Sequence, residues 1–168
     1  MRPTIYWIEA NWPGKLAIVP RPRGGDWLED EVTGWRQAGL DVIVSLLEDD
    51  EATDLGLEHE GEFSRAVALE FISFPIVDRS IPASRAEAMG LLEELNRLLA
   101  AGKNIGVHCR QGIGRSALVT TALLVLDGLS PIAAFQRVGE ARGVTVPETD
   151  QQRNWVIGLS KEPAKRAA

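Results

Sequence analysis

The residues with the clearest potential for chemistry lie in one glycine-rich segment, residues 108–116, with the sequence HCRQGIGRS. Cys109 is the only cysteine of the chain, and five residues separate it from Arg115. A cysteine thiolate is a nucleophile, and the planar guanidinium fork can bind two oxygens of a phosphate at once. When the segment curls into a loop, the thiol can lie at its floor and the guanidinium at its rim. The spacing therefore predicts attack of Cys109 on a bound phosphate ester.

The residues between these two side chains are predicted to form an anion cradle. Gly112 and Gly114 allow backbone dihedrals that turn successive N–H groups inward. A helix that begins after the loop adds the positive end of its dipole. The predicted phosphate-binding residues are Arg110, Gln111, Gly112, Ile113 and Gly114.

Two neighbours of the cradle are predicted to support it. Ser116 follows Arg115 directly, so its hydroxyl could donate a hydrogen bond to the thiolate when the latter leaves a phosphocysteine intermediate. His108 ends a predicted strand and cannot readily reach a substrate, so we interpret it as a residue that positions the loop by hydrogen bonding. A structural loop with an inert thiol is the alternative. The combination of strand, His-Cys, two glycines, Arg-Ser and an apolar helix disfavours it.

Apolar runs and helical patterns alternate along the chain around this segment. Strands are predicted at residues 5–8, 16–19, 41–47, 68–77 and 104–108, and helices at residues 26–39, 52–57, 84–102, 114–126, 131–142 and 148–159. Asp26 and Ser84 have glutamates three residues later, the spacing of a capping box, and Ser130 precedes a proline. Strands that alternate with helices predict an α/β fold with a largely parallel sheet.

Length and composition predict one domain. The 168 residues, of which 45% are hydrophobic, can bury a core without disulfides. Residues 1–25 would supply N-terminal strands and a loop, and residues 40–156 the catalytic core. With one cysteine and two histidines, a zinc site is not expected, and no metal or cofactor is predicted.

The charge balance narrows the choice of partner. A net charge of −6 disfavours general nucleic-acid binding and docking on anionic membranes. The sequence shows neither an apolar run of about 20 residues nor a signal peptide. We therefore expect a cytoplasmic protein, and a monomer.

Residues 108–116 resemble the signature loop of the protein tyrosine phosphatase superfamily, in which cysteine, five residues and arginine precede serine or threonine. Size and layout are closer to the dual-specificity phosphatases. Ile76–Asp78 and Glu148–Asn154 are similar to segments of the kinase-associated phosphatase subgroup and its bacterial and archaeal relatives. The resemblance covers roughly residues 40–156. It implies a three-layer sandwich, a central mostly parallel sheet flanked by helices, and catalysis through a phosphocysteine.

The family also implies an aspartate general acid on a mobile loop ahead of the cysteine, because expulsion of an alkoxide or phenoxide needs a proton donor. Asp78 fits this place, since it follows a predicted strand end and precedes Pro82. The acidic run Glu48–Glu51 follows a different strand, and we interpret it as solvated surface.

A glutamine is expected to position the water that hydrolyses the intermediate. Gln152 resembles the glutamine of this subgroup, while Gln151 is one helical step away and stays an alternative. Ordinary polar residues of a helix face would fit the pattern as well.

The leading hypothesis is a phosphatase of phosphorylated proteins or peptides, with phosphotyrosine and also phosphoserine or phosphothreonine as substrates. A phosphatase of phosphoinositides or RNA 5′-phosphates is an alternative, but the loop interior holds only one further cation, Arg110. A rhodanese-like sulfur carrier would not need Asp78. A non-catalytic phosphoresidue-binding module would lack the nucleophile, the arginine or the acid.

Overall fold

Five short strands form one sheet in the computed structural model, which describes residues 2–160. The strands are β1 (Tyr6–Ile8), β2 (Leu16–Ile18), β3 (Val42–Ser45), β4 (Glu70–Ser73) and β5 (Ile105–His108). Their order across the sheet is β1-β2-β5-β3-β4, with β1 antiparallel to β2 and all other neighbours parallel. The predicted single domain over residues 1–168 reaches beyond the described residues at both ends.

Seven α-helices connect and cover the described strands. They are α1 (Leu28–Gln37), α2 (Asp49–Asp54), α3 (Glu60–Ala66), α4 (Arg85–Ala100), α5 (Arg115–Leu126), α6 (Pro131–Arg142) and α7 (Asp150–Leu159). Two separate apolar cores lie on the two faces of the sheet, one under α1 and the other under α4 to α7. The predicted three-layer α/β sandwich with a mostly parallel sheet is confirmed.

Strand β3 shows how the sequence produces these layers. Successive side chains of a strand point to opposite faces. Val42 and Val44 accordingly join the core under α4 to α7, whereas Ile43 joins the core under α1. A strand covered on both faces needs apolar residues at every position, which is why its sequence shows no polar alternation.

Helix α5 lies in the middle of the second core. All its residues from Arg115 to Val125 are buried, and it packs against α4, α6 and α7 as well as the sheet. A helix that is apolar all round is expected to be enclosed in this way. Because α5 starts where the segment 108–116 ends, the burial of the helix fixes one end of that loop.

Two predicted helix starts are confirmed. Ser84 accepts a hydrogen bond from the backbone N–H of Glu87, and Ser130 accepts one from Ala133, both at 3.2 Å. Among the described residues, no helix is long and apolar enough to cross a membrane.

Other boundaries differ from the prediction. Asp26 caps no helix, because it lies in a 3₁₀ turn (Gly25–Trp27) that leads into α1 without a side-chain cap. The acidic run itself starts α2, so this helix begins three residues earlier than predicted. Helix α3 was not predicted, and β4 is shorter than the apolar run around it.

Candidate active site

The glycine-rich loop leaves the sheet at its central strand. His108 ends β5, Arg115 begins α5, and the loop turns between them at the carboxyl edge of the sheet. Gly112 has a φ of +75°, a conformation that favours glycine because it has no Cβ. The tight turn therefore depends on this glycine.

Cys109 lies at the floor of the loop with only 3% of its surface exposed. Its Sγ accepts a hydrogen bond from the backbone N–H of Gly112 at 3.2 Å. At least one amide of the loop thus points inward, as the prediction of an anion cradle requires.

Arg115 is 1% exposed and is held by several acceptors. Its Nη1 and Nη2 donate to the two carboxylate oxygens of Glu51 at 2.7 and 2.9 Å, and Nη1 also donates to the carbonyl of Ile76 at 2.9 Å. Burial acts to lower the pKa of Arg115, but the Glu51 hydrogen bonds and the charges of Cys109 and Asp78 outweigh it and raise that pKa. The guanidinium therefore stays charged at this site.

Glu51 corrects the interpretation of the acidic run as solvated surface. Its side chain is only 13% exposed, and it also accepts the backbone N–H of Glu48 in a capping box. Burial acts to raise the pKa of Glu51, but the Arg115 hydrogen bond, the Glu48 N–H and the charge of Arg110 together hold it below its usual value. The spacing of Glu48 and Glu51 just after β3 was the signal that could have identified this residue.

Asp78 lies in the loop that follows β4, residues 74–82. Its Oδ1 is 3.2 Å from Nη2 of Arg115, and its side chain is 54% exposed. Arg115 thus contacts Glu51 of α2 as well as Ile76 and Asp78 of the 74–82 loop. The predicted acid therefore lies beside the predicted phosphate-binding arginine.

The first turn of α7 and the residues just before it hold the 74–82 loop in this place. Nε2 of Gln152 donates to the carbonyl of Ser80 at 3.0 Å, and Arg79 forms an ion pair with Glu148 at 2.6 Å. Gln152 is fully buried, while Gln151 is exposed. Of the two glutamines considered in the sequence, only Gln152 therefore lies at the loop.

Gly114 lies against the same segment. A Cβ added there would be 2.9 Å from Oε2 of Glu148 and 3.2 Å from Nε2 of Gln152. The side chain of Glu148, which the sequence did not single out, thus reaches the loop.

His108, the last residue of β5, contacts residues on the face of the sheet that α1 covers. Its Nε2 is 2.6 Å from a carboxylate oxygen of Glu60, and both side chains are buried. Its Nδ1 lies 3.4 Å from the carbonyl of Cys109, and its ring is tilted against Trp35. Glu60 was missed in the sequence because α3, which carries it, was not predicted.

The remaining predicted residues surround the cradle. Arg110 and Gln111 are exposed, Ile113 is partly buried, and Nη1 of Arg110 lies 4.0 Å from Glu51. The hydroxyl oxygen of Ser116 is buried and has no hydrogen-bond partner among the described residues. Within residues 2–160, no three His, Cys, Asp or Glu side chains are grouped so that they could hold a metal ion.

The sequence and the fold are similar to known phosphatases. A family model described as a polymorphic toxin system DSP-PTPase phosphatase matches residues 19–129, which include Asp78, Cys109 and Arg115 and end before Gln152.

Two curated relatives match shorter segments. Cyclin-dependent kinase inhibitor 3 of Homo sapiens is 33% identical over 84 residues, 49% of this chain and 39% of that protein. A protein of invertebrate iridescent virus 6 that is named as a tyrosine phosphatase is 29% identical over 91 residues, 52% of this chain and 33% of that protein. The aligned segments thus span only 33% to 39% of the length of these relatives.

Two solved structures superpose over almost the whole chain. Kinase associated phosphatase, with its catalytic site cysteine substituted by serine, gives a TM-score of 0.87 at 20% identity, over 97% of this chain and 99% of that one. The active form of Tk-PTP gives a TM-score of 0.79 at 26% identity, over 97% and 100%. The predicted dual-specificity phosphatase fold is confirmed.

Proposed function

Because the chain belongs to the DSP-PTPase phosphatase family, we propose that it hydrolyses phosphate monoesters on proteins through a phosphocysteine at Cys109. One arrangement carries this proposal. A loop amide points at the Cys109 sulfur, and the charged Arg115 guanidinium lies 3.2 Å from the carboxylate of Asp78. The proposed nucleophile Cys109, the phosphate-binding guanidinium of Arg115 and the proton donor Asp78 therefore lie together at one edge of the sheet.

In the first step the Cys109 thiolate attacks phosphorus. The sulfur–phosphorus bond forms while the bond to the ester oxygen breaks, and Asp78 gives its proton to that leaving oxygen. The guanidinium of Arg115 and the loop amides stabilise the negative charge on the three remaining oxygens. Arg110, Gln111, Gly112, Ile113 and Gly114 supply the backbone of this cradle.

In the second step a water molecule attacks the phosphocysteine. Asp78, now a carboxylate, takes the proton of the water, and the sulfur leaves as a thiolate with release of inorganic phosphate. Ser116 donates a hydrogen bond to the departing sulfur, since its buried hydroxyl has no other partner among the described residues. Gln152 would position the water through its Oε1, which also accepts the backbone N–H of Thr149 at 3.2 Å. His108 keeps the start of the loop in place through Glu60.

We propose phosphotyrosine in proteins or peptides as the main substrate, with phosphoserine and phosphothreonine as further candidates. The loop interior holds a single further cation, Arg110, which suits one phosphate better than a polyanion. The net charge of −6 opposes binding to long polyanions and anionic membranes in the same way. That the protein is a cytoplasmic monomer without a cofactor stays a prediction.

The test compares the wild type with Cys109→Ser and Asp78→Asn on phosphotyrosyl, phosphothreonyl, phosphoinositide and RNA 5′-phosphate substrates. We expect phosphotyrosyl peptides to be hydrolysed fastest, and Cys109→Ser to be inactive on every substrate. Asp78→Asn should lower kcat about 100-fold or more, with KM nearly unchanged, because it removes the proton donor and keeps the shape. Asp127→Asn, at an exposed residue at the end of α5 opposite to the loop, is the matched control.

Fastest turnover of a phosphoinositide or an RNA 5′-phosphate would overturn the substrate assignment. Equal activity of Asp78→Asn and Asp127→Asn on poor leaving groups would overturn the assignment of the acid.

A further inference from the structure

Arg142, the last residue of α6, reaches back to the loop that carries Cys109. Its Nη2 donates to the carbonyl of Gln111 at 3.0 Å, and its Nε donates to the carbonyl of Gly112 at 3.2 Å. One guanidinium thus binds two consecutive carbonyl oxygens of the anion cradle. The planar fork of arginine is suited to such a double contact.

The two carbonyls determine where the neighbouring amides point. The C=O of Gln111 and the N–H of Gly112 belong to one planar peptide unit and point in opposite directions. In the structure that N–H donates to the Cys109 sulfur at 3.2 Å, while the carbonyl of the same unit accepts from Arg142. The C=O of Gly112 and the N–H of Ile113 likewise belong to one peptide unit. Because Arg142 binds that carbonyl, it also fixes the direction of the Ile113 N–H. Arg142 therefore holds the outer side of two peptide units, and the inner side of the first faces the nucleophile.

This part of the loop needs such a restraint. Gly112 has a φ of +75°, and a glycine passes between positive and negative φ at little cost. A rotated peptide unit would turn a carbonyl oxygen toward the sulfur and toward any bound anion, where it repels negative charge. The hydrogen bonds of Arg142 oppose this rotation, because it would leave the guanidinium without its acceptors.

Arg142 is itself held by an aromatic ring. The carbon of its guanidinium lies 4.5 Å from the ring centroid of Tyr6, the only tyrosine of the chain, on β1. Stacking of this kind favours a defined orientation of the fork. Strand β1 and helix α6 are in contact, so the support of the loop extends to the edge of the sheet.

We propose that Arg142 is a positioning residue that keeps the amides of the loop turned toward Cys109, and that Tyr6 orients Arg142 for this purpose. Arg142 does not touch the reacting atoms, and its N–H groups face the outside of the loop. Its effect on turnover rests on the proposed function. Its effects on anion binding and on the reactivity of the thiol do not.

The test uses the full chain with Arg142→Ala and Arg142→Lys. The readouts are the rate of Cys109 alkylation as a function of pH and the protection of Cys109 from alkylation by inorganic phosphate. Cys109 is the only thiol, so alkylation reports on this site alone. Arg137→Ala is the matched control, since Arg137 lies on the same helix and donates to the carbonyl of Glu9 instead of the loop.

For Arg142→Ala we expect phosphate to protect about tenfold less well, the factor that corresponds to the loss of one hydrogen bond to a charged group. Cys109 should also be alkylated more slowly at neutral pH than in the wild type, because fewer amides face its sulfur. Arg142→Lys should show most of this loss, because lysine keeps the charge but lacks the fork. Arg137→Ala should match the wild type.

Wild-type values for Arg142→Lys would overturn the proposal, since charge alone would then account for the effect. Wild-type values for Arg142→Ala would overturn it as well. If Arg142→Ala does not fold, Tyr6→Leu replaces it, with Tyr6→Phe as its ring-retaining control, and equal protection in these two variants would contradict the role of Tyr6. A protein whose phosphate binding depends on Arg142 but which hydrolyses no ester would refute the proposed function and leave this inference intact.

Discussion

At the scale of single residues, the site depends on how one arginine is held. Arg115 is almost fully buried, and a buried charge is costly unless partners compensate for it. Glu51 binds both of its terminal nitrogens, and Asp78 lies beside one of them. The orientation of the guanidinium is thus set before a phosphate arrives, so less ordering is needed when the anion binds.

The first prediction concerns Glu51→Gln. Loss of the carboxylate leaves the buried guanidinium poorly compensated, so the free energy of unfolding at pH 7 should fall by about 3 kcal/mol. Catalytic efficiency should fall as well, because Arg115 loses its orientation. Thermal or urea unfolding and steady-state kinetics measure the two effects.

The pH dependence of this difference has a definite sign. The folded protein holds the pKa of Glu51 below its ordinary value of 4.5, so the pair stabilises the fold above that pH. The difference between wild type and Glu51→Gln should therefore shrink as the pH falls through the lowered pKa. Glu62→Gln, at an exposed pair with His59, serves as the control. A difference that persists unchanged in acid would contradict the ion pair.

At the scale of elements, the parts of the site with strong local signals could be predicted from the sequence. Helix α6 begins at Pro131, as Ser130 and Pro131 indicate. The glycine-rich loop lies directly before α5, as its sequence predicts. Helices α2 and α3 were misjudged because they are short. Helices of one or two turns are stabilised by tertiary contacts more than by intrinsic propensity, so periodicity reveals little about them.

Those two short helices carry the residues that were missed. Glu51 and Glu60 look like surface acids in the sequence, and only the folded chain places them against Arg115 and His108. Arg142 was not predicted either, since its acceptors lie about 30 residues away along the chain, a separation that no local pattern reports. Contacts between side chains far apart along the chain could therefore not be predicted from local sequence patterns.

The second prediction concerns the contact between the loop and the start of α7. In Gly114→Ala, the new methyl group would lie 2.9 Å from Oε2 of Glu148 and 3.2 Å from Nε2 of Gln152, so Glu148 must shift and the fully buried Gln152 must give way by a few tenths of an ångström. We expect a loss of about 1–3 kcal/mol in unfolding free energy. Activity should fall further than stability alone explains, because Gln152 also holds Ser80.

Gly90→Ala in α4 is the matched control. A methyl group there meets nothing within 4 Å among the described residues, so alanine should stabilise the helix by about 0.5–1 kcal/mol. Equal behaviour of the two variants in unfolding and kinetics would contradict the close packing of the loop against α7.

At the scale of the whole molecule, the parallel sheet brings the site together. The segments that follow β5, β3 and β4 carry Cys109, Glu51 and Asp78, and these strands are neighbours. Carboxyl ends of adjacent parallel strands meet at one edge, which is where α/β proteins bind their ligands. Residues from distant segments thus converge without any long-range signal in the sequence.

The third prediction follows from this convergence. An oxyanion that binds only the folded site stabilises the whole chain, by about 2.7 kcal/mol at 100 times its dissociation constant. For a domain of this size the unfolding midpoint should rise by roughly 5–10 °C in phosphate relative to chloride at equal ionic strength. In Arg115→Lys this rise should nearly vanish. An equal rise in that variant would show that phosphate binds elsewhere.

The central claim is that Cys109 carries the phosphoryl group during turnover, and rapid acid quenching with a phosphotyrosyl peptide tests it most directly. Mass analysis of the digested wild type should find one phosphoryl group on the peptide that contains Cys109, and none in Cys109→Ser. Dephosphorylation at the wild-type rate by Cys109→Ser, without a phosphorylated cysteine in either protein, would contradict the mechanism.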